Sequence, residues 1–180
     1  MGKVPTTEPE PEERAIMVVY LLRVKAELEN VTAFRAPSGM EWCMDLQQSD
    51  GDEVREKVVI DPSETVEMKG GRGTANLTLS FGSKKEASVS IVDVKDSKVA
   101  PRPYNEEDQG GYVTFAAFEC RNCVPIKWHQ LRELVCESTE GKSFDGVDLS
   151  EDDWCDYDDE NDLSVSISNL ESTFEVHKGK

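Results

Sequence analysis

Apolar and polar residues alternate along most of this chain with a period of two, the spacing of a strand buried on one face. Leu22, Val24, Ala26 and Leu28 alternate with Arg23, Lys25 and Glu27, in an ordered region that begins near Val18. After a turn at Pro37-Ser38-Gly39, Met40, Trp42, Met44 and Leu46 alternate with Glu41, Cys43, Asp45 and Gln47, the sharpest strand signal in the chain. Asp50-Gly51 has the chemistry of a hairpin turn, Val54–Ile60 of its return strand, and Asp61-Pro62-Ser63 of the next turn. Leu77, Leu79 and Phe81 form one more apolar set, and Ala87, Val89 and Ile91 form the next, across residues 82–85. Residues 99–105, with Pro101 and Pro103 beside Arg102, read as an extended linker. The alternation resumes over 112–120 and 143–149. It ends in two closing strands, Leu163, Val165 and Ile167, then Leu170, Phe174 and Val176, which follow an acidic loop at 151–162. Only 128–134 admits a helical turn, so the pattern predicts an all-β protein with little helix.

Residues 66–75 stand apart. Gly70, Gly71 and Gly73 surround Arg72, giving a turn free to adopt positive φ with a bidentate cation at its apex. The two halves of the chain also carry short matches in the same order. Leu28-Glu29 matches Phe118-Glu119, Val66-Glu67-Met68 matches Val147-Asp148-Leu149, and Leu77-Thr78-Leu79-Ser80 matches Leu163-Ser164-Val165-Ser166. Such repetition predicts a duplicated unit of two similar barrel-like halves. The organisation expected is a disordered tail at 1–16, a first half at 17–100, a linker at 101–111 and a second half at 112–180. The tail sets Pro5, Pro9 and Pro11 among glutamates and has too little apolar surface to offset chain entropy.

Charge narrows the partners. Against 37 Asp and Glu the 180 residues carry 20 Lys and Arg, a net of −17, which repels nucleic acid and anionic membrane surfaces. The longest apolar run, Ile16 to Leu22, falls far short of the roughly 20 residues of a spanning helix. With acidic and proline residues where a signal peptide would be basic, and five cysteines in no regular framework, the chain is expected in the cytoplasm or nucleus with reduced thiols, as a monomer.

Several separate blocks carry a family resemblance. These are Leu28-Glu29-Asn30-Val31-Thr32, Trp42, Lys69-Gly70-Gly71-Arg72-Gly73, Pro103-Tyr104-Asn105-Glu106-Glu107-Asp108, Phe118-Glu119-Cys120-Arg121 and Asp153-Trp154-Cys155-Asp156-Tyr157-Asp158. In this order they resemble the eukaryotic CXXC motif-containing zinc-binding proteins, from about Val19 to Val176. The resemblance implies two similar barrel-like β units related by a pseudo-twofold, with a structural zinc on two CXXC knuckles and no known enzymatic role. The knuckle positions here hold Gln48 and Gly51, then Phe81 and Lys84, none of them a thiol or imidazole. A tetrahedral zinc needs about four such ligands, so the expectation is a member without metal or other cofactor, with hydrophobic packing in the metal's structural place.

Outside the knuckles, Cys120-Arg121-Asn122-Cys123 is a genuine CxxC at a strand end. It reads as two reduced cysteines; the alternatives are a displaced metal site recruiting Cys136, Cys155 or His129, or a thiol enzyme with Arg121 activating a cysteine. The 151–162 segment fails as a calcium loop, because counting from Asp156 its sixth and twelfth places hold Asn161 and Ile167. Its bland reading is a solvated loop anchored by aromatics. Its functional reading makes Trp154 and Tyr157, with Asp156 beside them, an aromatic anchor in an acidic rim for a basic protein partner, which Arg72 approaches from the other half. His129 and His177 have no evident catalytic neighbours in the sequence. A non-catalytic protein-interaction module, binding through Arg72, Trp154, Asp156 and Tyr157, is the functional expectation.

Overall fold

The computed structural model describes residues 17–71, 73–82, 85–130 and 132–178. The expected disordered tail therefore lies outside the described residues, as do Arg72 and Lys84. The rest is all-β, with helix limited among the described residues to two short 3-10 turns, Lys69–Gly71 and Glu106–Asp108.

Each predicted strand set appears. The first half supplies β1 (Met17–Glu29), β2 (Val31–Arg35), β3 (Trp42–Gln48) and β4 (Val54–Ile60). The short hairpin β5 (Val66–Glu67) and β6 (Thr74–Ala75) follows, then β7 (Leu77–Ser80) and β8 (Glu86–Ile91). After β9 (Tyr104–Asn105), the second half supplies β10 (Val113–Arg121), β11 (Cys123–His129), β12 (Leu134–Ser138), β13 (Ser143–Val147), β14 (Trp154–Asp158) and β15 (Leu163–Val176).

The halves are woven together. One six-stranded sheet runs β14-β15-β1-β10-β8-β7, so the first strands of the two halves pair antiparallel at its centre, from Met17 opposite Arg121 to Val24 opposite Val113. A three-stranded sheet, β11-β3-β4, takes its outer strand from the second half. A four-stranded sheet, β13-β12-β2-β9, takes β2 from the first. Two asparagines direct this exchange. Asn30 and Asn122, with φ of 56° and 58°, stand between β1 and β2 and between β10 and β11. The left-handed conformation disfavours most side chains and suits asparagine. Each side-chain amide then donates to a neighbouring strand of the large sheet, Asn30 to the Ser164 carbonyl at 2.8 Å and Asn122 to the Glu86 carbonyl at 2.9 Å.

The core lies between the sheets. Leu22, Val24, Phe34, Met44, Leu46, Phe118, Leu134 and Ile167 are almost fully shielded from solvent. The Trp42 ring meets Phe115, Phe118 and Trp128 at centroid separations of 6.0, 5.6 and 6.0 Å, an edge-and-tilt arrangement favoured by ring quadrupoles.

Three local expectations change. The 99–105 segment is more than an extended connection, because Tyr104 and Asn105 pair with Phe34 and Ala33 of β2. Tyr104 is fully buried, its hydroxyl within 3.2 Å of the Ala26, Asp108 and Gly111 carbonyls. Arg102 grips Asp108 through both guanidinium ends at 2.7 and 2.8 Å. In place of a helical turn, the described part of 128–134 continues β11 and opens β12. The two closing strands are one, β15, whose pairing with β1 shifts register between Lys25 and Glu27, near Asn169 at φ 53°. A bulge of this kind changes which residues face inward, so one strand gives two apolar phases.

Replacing Asn122 by Ala removes its amide bond and leaves a left-handed backbone under a Cβ that resists it. We expect a loss of about 2–3 kcal/mol. Replacing it by Gly removes only the bond and should cost about 1 kcal/mol. Urea denaturation of the two variants measures the difference.

Candidate functional site

Two hairpins of the first half meet at their tips. The β3–β4 turn starts at Gln48, whose N–H bonds the Glu53 carbonyl at 2.9 Å, and the Gly51 N–H returns to the Gln48 carbonyl at 3.4 Å. Opposite lies the end of β7, where Phe81 is 5% exposed. Polar contacts tie the tips together. Arg55 donates to the Ser80 carbonyl at 2.9 Å and sits 5.8 Å from the Phe81 ring centroid; the Glu53 carboxylate accepts from the Gly82 N–H; and Lys85 pairs with Asp50 at 3.4 Å. A buried phenyl ring under a guanidinium thus fills the junction.

The second half also has a junction of hairpin turns, with different chemistry. Here the β12–β13 turn, which begins at Ser138, meets the β14–β15 turn, which begins at Asp158. The Asp158 side chain is fully buried and accepts from the Ser138 hydroxyl at 2.9 Å, the Asn161 N–H at 3.1 Å and the Asn161 amide at 2.8 Å. Ser138 in turn accepts from the Glu140 and Lys142 N–H groups. Burial pushes the Asp158 carboxyl upward, but the hydrogen bonds from Asn161 and Ser138 outweigh it and hold the group below its ordinary value.

Cys120 and Cys123 flank Asn122 and are 1% and 2% exposed. The Cys123 thiol donates to the Ser88 carbonyl at 3.6 Å. Its hydrogen bond with Cys120, together with burial, raises the Cys120 thiol well above its ordinary value. Arg121, the expected activator, instead reaches the Met17 sulfur at 3.0 Å. Cys136 is buried and pushed up to about 12, and Cys155 is exposed. Cys120 and Cys136 are thus held as protonated core thiols, without the electropositive setting a thiolate nucleophile requires. No group of three or more His, Cys, Asp or Glu among the described residues is placed to hold a metal ion.

The sequence profile described as "CXXC motif containing zinc binding protein, eukaryotic" matches residues 21–175. The chain belongs to this family. Relatives of that name from Xenopus laevis and Homo sapiens are 34% and 32% identical to it. Those alignments cover 88% and 85% of this chain and 98% and 95% of theirs. The crystal structure of C1orf123 superposes with a TM-score of 0.78 at 29% identity, over 88% of this chain and 99% of that one. A zinc ion is what the family's name implies, and the residues at the positions where the resemblance sets the knuckles do not by themselves fit one. At the first-half junction an amide, a glycine and a phenyl ring occupy three of the four knuckle positions, offering at most one neutral oxygen donor.

The expected interaction residues occupy a sheet edge rather than a loop. Trp154, Asp156 and Tyr157 lie on β14, the terminal strand of the six-stranded sheet, paired to β15 from Trp154 opposite Ile167 to Asp158 opposite Leu163. Trp154 is half-buried and packs edge-on against Phe144 at 5.5 Å, while Tyr157 is 46% exposed. Trp154 and Asp158 are the less exposed positions, and the acidic composition that suggested a loop is the solvent side of an edge strand. The described neighbours of Arg72 lie elsewhere, with the Lys69 N–H bonded to Glu86 of β8 near the opposite edge of that sheet.

The structure also joins two residues that the sequence kept apart. His129 on β11 and Asp45 on β3 approach to 2.7 Å between Nε2 and Oδ1. Asp45 accepts a second bond from the Lys57 N–H at 2.9 Å, with Lys57 at φ 54°. Burial pushes the Asp45 carboxyl up, and these two bonds bring it below its ordinary value. Strand pairing across 84 residues creates this contact, and no local motif announces it.

Asp158 provides a pH test. Its folded pKa is depressed, so its stabilisation is complete above the unfolded value near about 4 and is lost as pH falls through the lower folded value. Asp158→Asn should therefore destabilise the protein at neutral pH. The gap to the parent should narrow progressively below about pH 4, as urea midpoints across the acid range will show.

Proposed function

We propose that this chain is a non-catalytic, zinc-independent member of its family that binds a basic protein segment along the β14 edge. The observation that carries this reading is Tyr157, exposed on an open edge strand beside Asp156 and rooted by the half-buried Trp154. An edge strand offers unpaired backbone groups to an extended peptide, and alternate side chains then set specificity. Asp152, Asp153, Asp156, Asp159 and Glu160 are exposed nearby, which selects Lys or Arg on the incoming segment. The net charge of −17 favours such a partner over nucleic acid or an anionic membrane, and no described helix is long and apolar enough to cross a bilayer. Cytoplasmic or nuclear residence and a monomeric state complete the reading.

The same proposal holds that the chain is a duplicated unit with a pseudo-twofold between its halves. Reading β1, β2, β3, β4, β7 and β8 onto β10, β11, β12, β13, β14 and β15 turns the six-stranded sheet order into its own reverse and β11-β3-β4 into β2-β12-β13. Asn30 and Asn122 then coincide in conformation and in the strand each amide addresses. Asn76 and Asp153 coincide as well, each accepting through Oδ1 from a backbone N–H, of Ile91 at 2.8 Å and of Asn169 at 3.0 Å. Under this correspondence Phe81 answers to Asp158, and the Ser138–Asp158–Asn161 knot occupies in the second half the place that the knuckles hold in the first. Either junction closes without an ion.

Two measurements test the proposal. Elemental analysis of the purified protein should find well under one equivalent of zinc, and a chelator should leave the thermal midpoint unchanged; stoichiometric zinc would overturn zinc independence. A lysine- and arginine-rich peptide should shift the β14 amide resonances at low salt. Tyr157→Ala should then weaken binding by about 1–2 kcal/mol.

A further inference from the structure

A cavity of about 420 Å³ opens beside the His129–Asp45 contact, where the end of β11, β4, residues 149–152 and β15 converge. Trp128, Leu149 and Leu170 give it apolar walls. Lys57, Lys127 and His129 bring basic groups to it, and Ser150, Asp152 and Ser172 line the other side. That size lies within the range of small-molecule sites, which combine apolar walls with a few convergent polar groups.

Lys57 and Lys127 both line the cavity in a chain where Asp and Glu outnumber Lys and Arg by 37 to 20, and neither makes a close ion pair with a described residue, although Lys127 acts on the Asp45 carboxylate. Two ammonium groups on one cavity offer charge to a small anion, with the Asp152 and Asp45 carboxylates offsetting part of it. His129 adds direction. Its Nε2 is held by Asp45, which orients the ring and, in the neutral tautomer with Nε2–H, leaves Nδ1 an acceptor without a partner among the described residues. Backbone conformation keeps this arrangement in place, since the left-handed residue Lys57 within β4 is fixed by the bond from its N–H to the same Asp45 carboxylate.

We infer that this cavity, at the seam of β4, β11 and β15, binds a small hydroxy-carboxylate, with its carboxylates on Lys57 and Lys127 and its hydroxyl donating to His129 Nδ1. The site is separate from the β14 edge and independent of what binds there. Its occupant is a compact organic anion rather than a polymer, because Asp152 and the flanking acidic surface repel an extended polyanion.

L-Malate and succinate distinguish the two parts of the inference, since they share both carboxylates and differ by one hydroxyl. Titration of the full chain with malate, followed through its amide resonances, should give saturable shifts at Lys57, Lys127, His129 and Leu170. Succinate should bind about fivefold more weakly. Lys57→Gln with Lys127→Gln, two exposed positions, should weaken malate by at least about tenfold without changing the thermal midpoint. His129→Phe should erase the preference for malate while keeping the carboxylate affinity. Absence of saturable shifts with malate, or shifts unaltered in the double lysine variant, would overturn the site. Equal affinity for malate and succinate in the parent would overturn the role given to His129.

Discussion

The architecture depends on two residues that leave the large sheet. At Asn30 and Asn122 the backbone enters a left-handed conformation for a single residue, and the next strand joins the sheet built around the opposite half's hairpin. Because β2 pairs with β12 and β11 with β3, each half holds part of the other's sheet. Neither half can release its strands without breaking pairings in both. The aromatic core follows from this exchange, since Trp42 of the first half and Trp128 of the second meet at a tilt within one cluster, 6.0 Å apart. A chain interlocked this way folds through non-local contacts, which penalises folding rate rather than stability.

Given that frame, hairpin tips must meet, and each meeting must satisfy its polar groups. The second half does so with a buried carboxylate that accepts three hydrogen bonds, the first with an aromatic ring beneath an arginine and ion pairs across the gap. These are two physical answers to one mechanical demand. The second-half junction relies on charge-assisted hydrogen bonding in a dry place, the first-half junction largely on dispersion and apolar burial. A metal would be a third answer; at the first-half junction the Asp50 and Glu53 carboxylates are instead engaged by Lys85 and the Gly82 N–H.

Function is then left to the surfaces that the frame does not consume. The β14 edge is open because a six-stranded sheet has to end somewhere, and its acidic side chains guard it against pairing with another copy of the same acidic strand. The cavity beside His129 arises where β11 crosses toward β15, a consequence of the same strand exchange that builds the core. Both features put chemistry on rigid strands rather than on mobile loops, which favours recognition over large conformational change.

The sequence by itself determined the all-β class, most strand positions and the family, because a period of two and turn residues such as Asp50-Gly51 are local and survive without neighbours. It also singled out Trp154 and Tyr157, though as a loop, since the acidic and aromatic residues of an edge strand resemble a solvated segment until a partner strand is known. Tertiary structure alone decided the rest. The place of each strand in the sheets is one such feature: β7 and β14 form the two edges of the six-stranded sheet, which no alternation in the sequence distinguishes from its centre. Short alternating strings look alike, so periodicity cannot tell one strand from its neighbour. The His129–Asp45 contact, the buried Tyr104 hydroxyl and the burial that keeps Cys120 protonated depend on pairings many residues apart. Register between strands is fixed by the whole core, and no local pattern encodes it.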